Sequence, residues 1–479
     1  MNSLLKKITR LAGKTLGWSS YEGANPSMTR QRVPGSSPTD LKSELTSMVR
    51  SELVKNSRYL AKNSGLVREM VSVMATYAVG DGLKVQPKTD DRIWAKAAVN
   101  YWDEWAQIAD ITGRFSLAEI QHLICRAVDE DGEIFVHMTR IDGRPFLQLI
   151  ESHRIGDWGN SKTIDGISFD AYGRPNSYRV MQDDGNFIDL PAISILHIFE
   201  PERASAARGV PSLAHSINHI KDEMELLALE KHAVKDHADK SFAIRNQSGE
   251  IDSSDGFGGL DIETGKSTEH PHSDPTALQR IVGGKWVALA PGEDLMPFES
   301  NRPSPTFTGF LEHLRRDSAL GGIPYEFTAD PTDVGGASVR LVVAKADRKF
   351  NQRQNLLIQR FLFPVWKFVI GDAIANRTLP AIPEWWKISV VTPRRVTVDA
   401  GREAQQNRAD VEMGLKTLSD HFNELGADFG EEIERRAADA KLILETATKY
   451  GVPVEMLWKV AGAALTPTTG REPAPIPTP

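Results

Sequence analysis

Between Leu213 and Ile244 the chain holds neither glycine nor proline, while Leu213, Ile217, Ile220, Met224, Leu227, Val234, Ala238 and Phe242 recur at steps of three, four or seven residues. That periodicity lines one face of an α-helix. It predicts a single rod over residues 213–244, about 48 Å long at ~1.5 Å per residue. The other face mixes Asp222, Glu223, Glu225 and Glu230 with Lys231, Lys235 and Asp236, so it meets water or charged neighbours. Such a rod joins two bodies, and the sequence has folding material on both sides of it.

Ahead of the rod, residues 41–79 carry apolar positions at helical spacing, with Asn63-Ser64-Gly65 as a break between two helices. Arg92 to Ala106 is a third helix whose stripe of Ile93, Trp94, Ala97, Ala98, Tyr101, Trp102 and Trp105 reads as core. Ser116 followed by Glu119 is a capping box opening a fourth, Ser116 to Val128. Leu83–Val85, Ile134–Arg140, Phe146–Glu151, Gly166–Asp170, Ser177–Met181 and Ile193–Phe199 are β-leaning runs between Asp-Gly and Gly-Arg-Pro turns, which predicts a small antiparallel sheet flanked by helices.

Beyond the rod, Gln247–Asp274 is poor in large apolar residues and reads as a loop-heavy projection, followed by strand character around Trp286-Val287-Ala288-Leu289. A second helix spans Thr306–Leu320, an irregular connection Pro324–Gly336, and a long helix Ala337–Phe363, stopped by Pro364 and resuming over Trp366–Ala375. Trp386–Val398 supplies a closing strand or two. Residues 400–464 are helical with breaks near Gly426 and Gly451, and the Pro-rich 465–479 reads as a disordered tail. Met1–Gly17 is a basic amphipathic arm joined through a Pro/Ser/Gly linker, Asn25–Asp40. At 479 residues this is an α+β chain of about three structural units.

Composition removes several classes. With 57 Lys and Arg against 64 Asp and Glu, a net charge of −7, the chain is no cationic DNA coat, so nucleic-acid contact has to be local or non-adhesive. The single cysteine, Cys125, cannot form an internal disulfide, as expected of folding in a reducing compartment. No run approaches the ~18 apolar residues of a membrane span, since Phe361–Ile370 is interrupted by Pro364 and Lys367.

Few residues carry recognisable chemistry. Gly13-Lys14-Thr15 lacks the earlier glycine of a phosphate-binding loop, Ile8 standing in its place. His215 and His219, or His232 and Asp236, share a helix face without an apparent third metal ligand, and His270 and His272 lie in the projection. Asp129-Glu130-Asp131-Gly132-Glu133 packs four carboxylates into five positions. That suits either a structural turn with a solvated acidic edge or a divalent-metal site. On the helix after Ala337, Lys345, Lys349 and Arg353 are spaced by four, and Arg340, Arg348 and Arg360 join them against Asp347 alone. This basic stripe fits ion pairs with a neighbouring subunit or passing contact with a nucleic-acid backbone, and both stay open.

An ordered set of words resembles the lambda-type phage portal proteins over about residues 57–449: Ser57-Arg58-Tyr59-Leu60-Ala61, Gly80-Asp81-Gly82, Ile150-Glu151-Ser152-His153-Arg154, Asp170-Ala171-Tyr172-Gly173-Arg174-Pro175, His197-Ile198-Phe199-Glu200-Pro201, Arg208-Gly209-Val210-Pro211 and Gly322-Ile323-Pro324-Tyr325-Glu326. The resemblance implies a homo-oligomeric ring, usually of twelve subunits, at one capsid vertex of the virion, assembled in the host cytoplasm. Double-stranded DNA would pass through its channel. Its partners would be the major capsid or scaffold protein, terminase, and head-completion or connector proteins. It implies no enzyme activity, no cofactor and no membrane.

The family's parts would fall as an N-terminal arm and linker at 1–40, wing at 41–212 and 372–399, stem helices at 213–244 and 306–322, clip at 245–305, tunnel loop at 323–336, spine at 337–371 and crown at 400–464. Glu326, Thr328, Asp330, Thr332 and Asp333 would then sit in the tunnel loop, and Lys345, Lys349, Arg353 and Arg340 would be the candidates for facing DNA. Pro331 within the loop, and Ser338-Val339-Arg340 where the family's word is longer, depart from the pattern, so loop details do not carry over. The competing readings are a metal-dependent phage nuclease or protease using the 129–133 carboxylates, and a monomeric adaptor.

Overall fold

Ser64 ends one helix and starts the next: its amide donates to the Leu60 carbonyl at 2.8 Å, and its hydroxyl accepts from the Val67 amide at 3.4 Å. A computed structural model describes residues 39–158, 162–239, 242–246, 293–297, 305–319, 323–329, 335–398, 400–425, 427 and 429–457. The chain opens with α1 (Leu41–Glu44), α2 (Ser47–Asn63) and α3 (Gly65–Val79), then β1 (Lys84–Pro87), α4 (Arg92–Ala106) and α5 (Leu117–Glu130). The capping box at the start of α5 forms as the sequence predicts, Ser116 and Glu119 each binding the other's backbone amide.

Two three-stranded antiparallel sheets follow in place of the single expected one. The first has the order β3-β2-β7, from β2 (Glu133–Ile141), β3 (Arg144–Glu151) and β7 (Ile195–Phe199). The second has the order β4-β5-β6, from β4 (Ile167–Phe169), β5 (Pro175–Met181) and β6 (Phe187–Pro191). Strand β6 escaped the sequence reading because Asp189 and Pro191 depress its strand character, which an exposed edge position tolerates.

β2 is covered on both faces. Ile134 and Val136 join the main core, with Trp94, Trp102, Trp105, Phe361 and Trp366, while Phe135 packs between the two sheets with Ile155, Tyr178 and Val180. Of the stripe read on α4, Trp94, Ala98, Trp102 and Trp105 are core and Tyr101 is half-buried, whereas Ile93, at 87%, and Ala97 are exposed.

The rod is shorter than its periodicity suggests. It runs as α6 (Ile217–Asp239), because Leu213–Ser216 are held in turns and Phe242–Asn246 is a strand, β8, paired antiparallel with β9 (Glu293–Pro297). Its base is clamped by a second core in which Leu213, Ile217 and Ile220 meet Leu60, Val67, Met70 and Val71. It pairs with α7 (Pro305–Asp317) through Arg315 Nε, which donates to Glu223 Oε1 at 2.7 Å. The projection at 247–274 and the strand expected at 286–289 lie outside the described residues.

A short helix, α8 (Tyr325–Thr328), occupies part of the connection read as irregular. Next comes α9 (Gly336–Leu357), and Pro364 does not stop it. The helix widens into one π-turn, Ile358–Leu362, in which the Phe363 amide bonds the Ile358 carbonyl five residues back, and continues as α10 (Phe363–Ala375). Widening the turn just ahead of a residue with no N–H lets the axis run on where a strict α-helix would clash. Strand β10 (Ile388–Val391) then pairs with β1, closing the body. The remaining helices are α11 (Ala400–Glu412), α12 (Leu418–Glu424), α13 (Phe429–Tyr450) and α14 (Val454–Leu457).

Trp366 is fully buried against Trp102 and donates from its indole nitrogen to the Trp385 carbonyl. Trp366→Ala is expected to cost ~3–5 kcal/mol in denaturant unfolding. Ile93→Ala, on the exposed side of the same core helix, is expected to stay within about 0.5 kcal/mol.

Candidate functional site

The acidic turn at 129–133 gathers three arginine–carboxylate pairs. α5 carries Asp129 to its last turn, Gly132 at φ +85° reverses the backbone, and β2 starts at Glu133. The carboxylates do not converge. Asp129, Asp131 and Glu133 are 1%, 4% and 0% exposed and each is taken by a different arginine, so of the expected solvated edge only Glu130, paired with Arg126, stays at the surface.

Arg353, near the C-terminal end of α9, donates from Nη2 to Asp129 Oδ1 at 2.8 Å and from Nη1 to Asp129 Oδ2 at 3.1 Å and to the Cys125 carbonyl at 2.9 Å. Its Nε reaches Glu200 at 3.0 Å. Arg58, on α2, grips Asp131 with Nε at 2.7 Å and Nη2 at 2.5 Å, and touches Glu151 at 3.0 Å. Arg208 donates to Glu133 from Nε and Nη2, while Ser152 Oγ, the Gly209 amide and His197 Nε2 complete that carboxylate's shell, each at 2.8 Å. Behind it Arg50 holds Asp165 from Nε and Nη2 and the Ser152 hydroxyl from Nη1.

Burial alone would raise Glu133, but Arg208 and His197 outweigh it and hold the carboxyl far below the usual range. Burial lowers His197 despite Glu133, so the ring is neutral and donates from Nε2 to a carboxylate that can only accept. The glycines are steric requirements. A Cβ on Gly132 would lie 2.3 Å from the Val210 carbonyl carbon, and one on Gly209 would lie 2.1 Å from the Gly132 oxygen.

The metal reading of these carboxylates is therefore overturned: their oxygens point three ways into guanidinium groups, and among the described residues no cluster of three or more His, Cys, Asp or Glu is arranged to hold an ion. His219 instead faces Asp317 across α6 and α7 at 3.6 Å, and His215 and His232 are exposed. The side chain of Asp236 and both His270 and His272 lie outside the described residues.

The basic stripe divides. Arg340 and Lys345 are exposed and Lys349 is half-buried, but Arg353 is 2% exposed and bound to Asp129. Arg353 is thus a structural tie and not a DNA-facing residue. Spacing by four placed it on the basic face, but the apolar stripe turns inward at Phe350 and carries Arg353 with it. Glu326 pairs with Arg316 at 3.1 Å, the Thr328 hydroxyl donates to the Pro324 carbonyl, and Asp330, Thr332 and Asp333 lie outside the described residues. The sequence reading missed Arg50, Asp165 and the pairing role of Arg208. Its nearest signal was Arg208-Gly209, where a charged residue abuts a glycine.

Arg208→Met leaves Glu133 buried without its main counter-charge and is expected to cost ~3–5 kcal/mol. Because the folded-state pKa of Glu133 is depressed, its stabilisation is fully present above about pH 4.3, the unfolded value, and is lost as pH falls below it. Glu133→Gln should accordingly flatten the acid limb of a stability–pH curve. Burial pushes the Cys125 thiol up to about 12 even though Arg353 opposes the rise. Ellman's reagent should therefore react with the native chain only as fast as it unfolds, and prompt labelling would contradict the packing.

The sequence matches the family model described as "Phage portal protein, lambda family" over residues 28–354. Among solved structures, the fold resembles a chain from the neck of an empty GTA particle computed with C6 symmetry, with TM-score 0.51 and 16% identity, covering 78% of this chain and 94% of that one. A neck chain of a native GTA particle computed with C12 symmetry matches at TM-score 0.49 and 16% identity over 78% and 93%. An HK97-family phage portal protein from Corynebacterium diphtheriae matches at TM-score 0.33 and 13% identity over 67% and 96%. This chain, with its portal-type α+β fold, belongs to the lambda family of phage portal proteins.

Proposed function

We propose that the chain forms a ring of twelve copies at one capsid vertex, through which double-stranded DNA is packaged and later ejected. Members of this family are structural ring components, not enzymes. The observation that carries the proposal is the fold shared across most of the chain with a neck protein computed in sixfold symmetry, a symmetry that both six and twelve copies satisfy. The ring assembles in the host cytoplasm, is gripped by the capsid or scaffold protein, and offers a docking platform first to terminase and then to head-completion proteins.

On this reading the two-sheet body with its flanking helices is the wing, α6 and α7 are the stem, and β8 with β9 begins the clip. The region from α8 to Gly335 is the tunnel loop, with Glu326, Thr328, Asp330, Thr332 and Asp333. The helix from Gly336 to Ala375 is the spine, and α11 to α14 form the crown. The exposed side of the spine carries Arg340, Lys345 and Arg348, with Lys349 at its margin, as the groups for DNA backbone contact. Sparse cations in an acidic chain favour sliding, because affinity for DNA climbs steeply with each phosphate neutralised.

The test is native mass by mass photometry across salt concentrations, with negative-stain images of the same sample. A mass near twelve subunits and an annular projection are expected. A chain that stays monomeric at every salt and concentration, and in the presence of scaffold, would sink the proposal.

A further inference from the structure

Ten consecutive residues of α13, Ile433 to Leu442, are exposed, so for nearly three turns this helix buries no side chain. Most helical stability in proteins comes from packing one face, and here no face is packed. The apolar residues nevertheless keep a strict spacing. Ile433, Ala437, Ala440, Leu444 and Ala447 are separated by four, three, four and three residues, the period of a seam between two packed helices. Ile433 and Leu444 are 44% and 56% exposed, Ala437 and Ala440 are exposed as well, and only Ala447, at 4%, is covered.

Just past Ala447 the chain turns. Gly451 adopts φ +64°, and the Val452 amide bonds the Ala447 carbonyl five residues back at 3.1 Å, a Schellman turn that ends α13. Pro453 follows, and α14 starts at Val454 against the end of α13. Residues 458–479 lie outside the described residues, but their sequence runs on as Trp458-Lys459-Val460-Ala461-Gly462-Ala463-Ala464-Leu465, with no proline before Pro467. Val454, Leu457, Ala461 and Ala464 are separated by three, four and three residues. Read backward from Ala447 to Ala437, the stripe of α13 takes the same steps. A fold-back at Gly451 therefore sets Val454 beside Ala447, Leu457 beside Leu444, Ala461 beside Ala440 and Ala464 beside Ala437 in a single register.

We infer that residues 458–465 of the same chain extend α14 into a helix from Val454 to Leu465 that lies antiparallel on α13 and covers its seam. Such a helix is about 18 Å long at ~1.5 Å per residue, and the stretch of seam from Ala447 back to Ala437 is about 15 Å. Alanines facing alanines let the two axes approach to about 8 Å, the near end of helix packing distances. Pro467 ends the helix where the matching ends, because the residue before a proline is driven out of the helical region. A helix from a second copy would have to enter beside α14, which already starts at this end of the seam, whereas the tethered segment needs no association. The inference concerns one chain and stands apart from the ring assembly.

Two measurements on the full-length chain test it. In an Ala440→Cys, Ala461→Cys double variant the new thiols would face each other within disulfide reach, while Cys125 stays buried. Mild oxidation should link them within one chain, read by non-reducing gel and peptide mass mapping, about ten-fold or more faster than in a Leu442→Cys, Ala461→Cys control whose first cysteine lies on the far side of α13. Equal rates overturn the inference, and a bond between chains overturns it in favour of a second copy's segment. Hydrogen exchange supplies a readout without engineered thiols: Ala461→Glu should raise exchange over residues 437–447 about ten-fold or more relative to wild type. Unchanged exchange there would show that nothing seats on the seam through Ala461 and would overturn the inference as well. Both readouts apply to a single chain or a ring, so a failure of ring assembly and a failure of this contact are told apart by the native mass of the same sample.

Discussion

A carboxylate with no access to water is stable only if its charge is met inside the protein, and Glu133 is met by Arg208, His197, Ser152 and the Gly209 amide at once. Much of the body's geometry follows from that shell. Arg208 can reach Glu133 only if the segment before α6 runs against Gly132. His197 can reach it only if β7 pairs with β2 in the observed register, with Phe135 opposite His197. Two residues along the same turn, Asp131 fixes α2 and Asp129 fixes α9. One five-residue turn therefore ties together the first helical pair, the sheet, the base of the rod and α9.

That junction sets the course of the long helix. The helix beginning at Gly336 passes over the turn, is pinned there by Arg353, and then enters the aromatic core as an unbroken axis. The π-turn ahead of Pro364 keeps the axis continuous where an ordinary proline would bend it. The ring proposed above would need this helix anchored to the rest of the subunit, and the pairing of Arg353 with Asp129 ties it there through hydrogen bonds with defined direction. The cation surplus read on this helix is real, but its most deeply placed member serves the interior.

Much of the fold was legible because it follows local rules. The span of α4, the Ser116 capping box, the break at Ser64 and most strands follow from periodicity and caps, which act over a few residues. The errors fall where distant residues decide. The carboxylates of 129–133 read as solvated because their partners, Arg58, Arg208 and Arg353, lie far away along the chain. The rod was overextended because the strand pairing of Phe242–Asn246 depends on Glu293–Pro297, which helical periodicity cannot register. Pro364 read as a stop because a π-turn leaves no compositional mark. The family resemblance rested on short words such as Arg208-Gly209, whose purpose appears only in three dimensions.

The most direct measurement is a cryo-EM reconstruction of the assembled protein with side chains resolved at 129–133. A closed ring is expected, with Arg353 on Asp129, Arg58 on Asp131 and Arg208 on Glu133 in every subunit. An open or irregular assembly, or carboxylates from this turn converging on an ion with Arg353 released toward the channel, would contradict it.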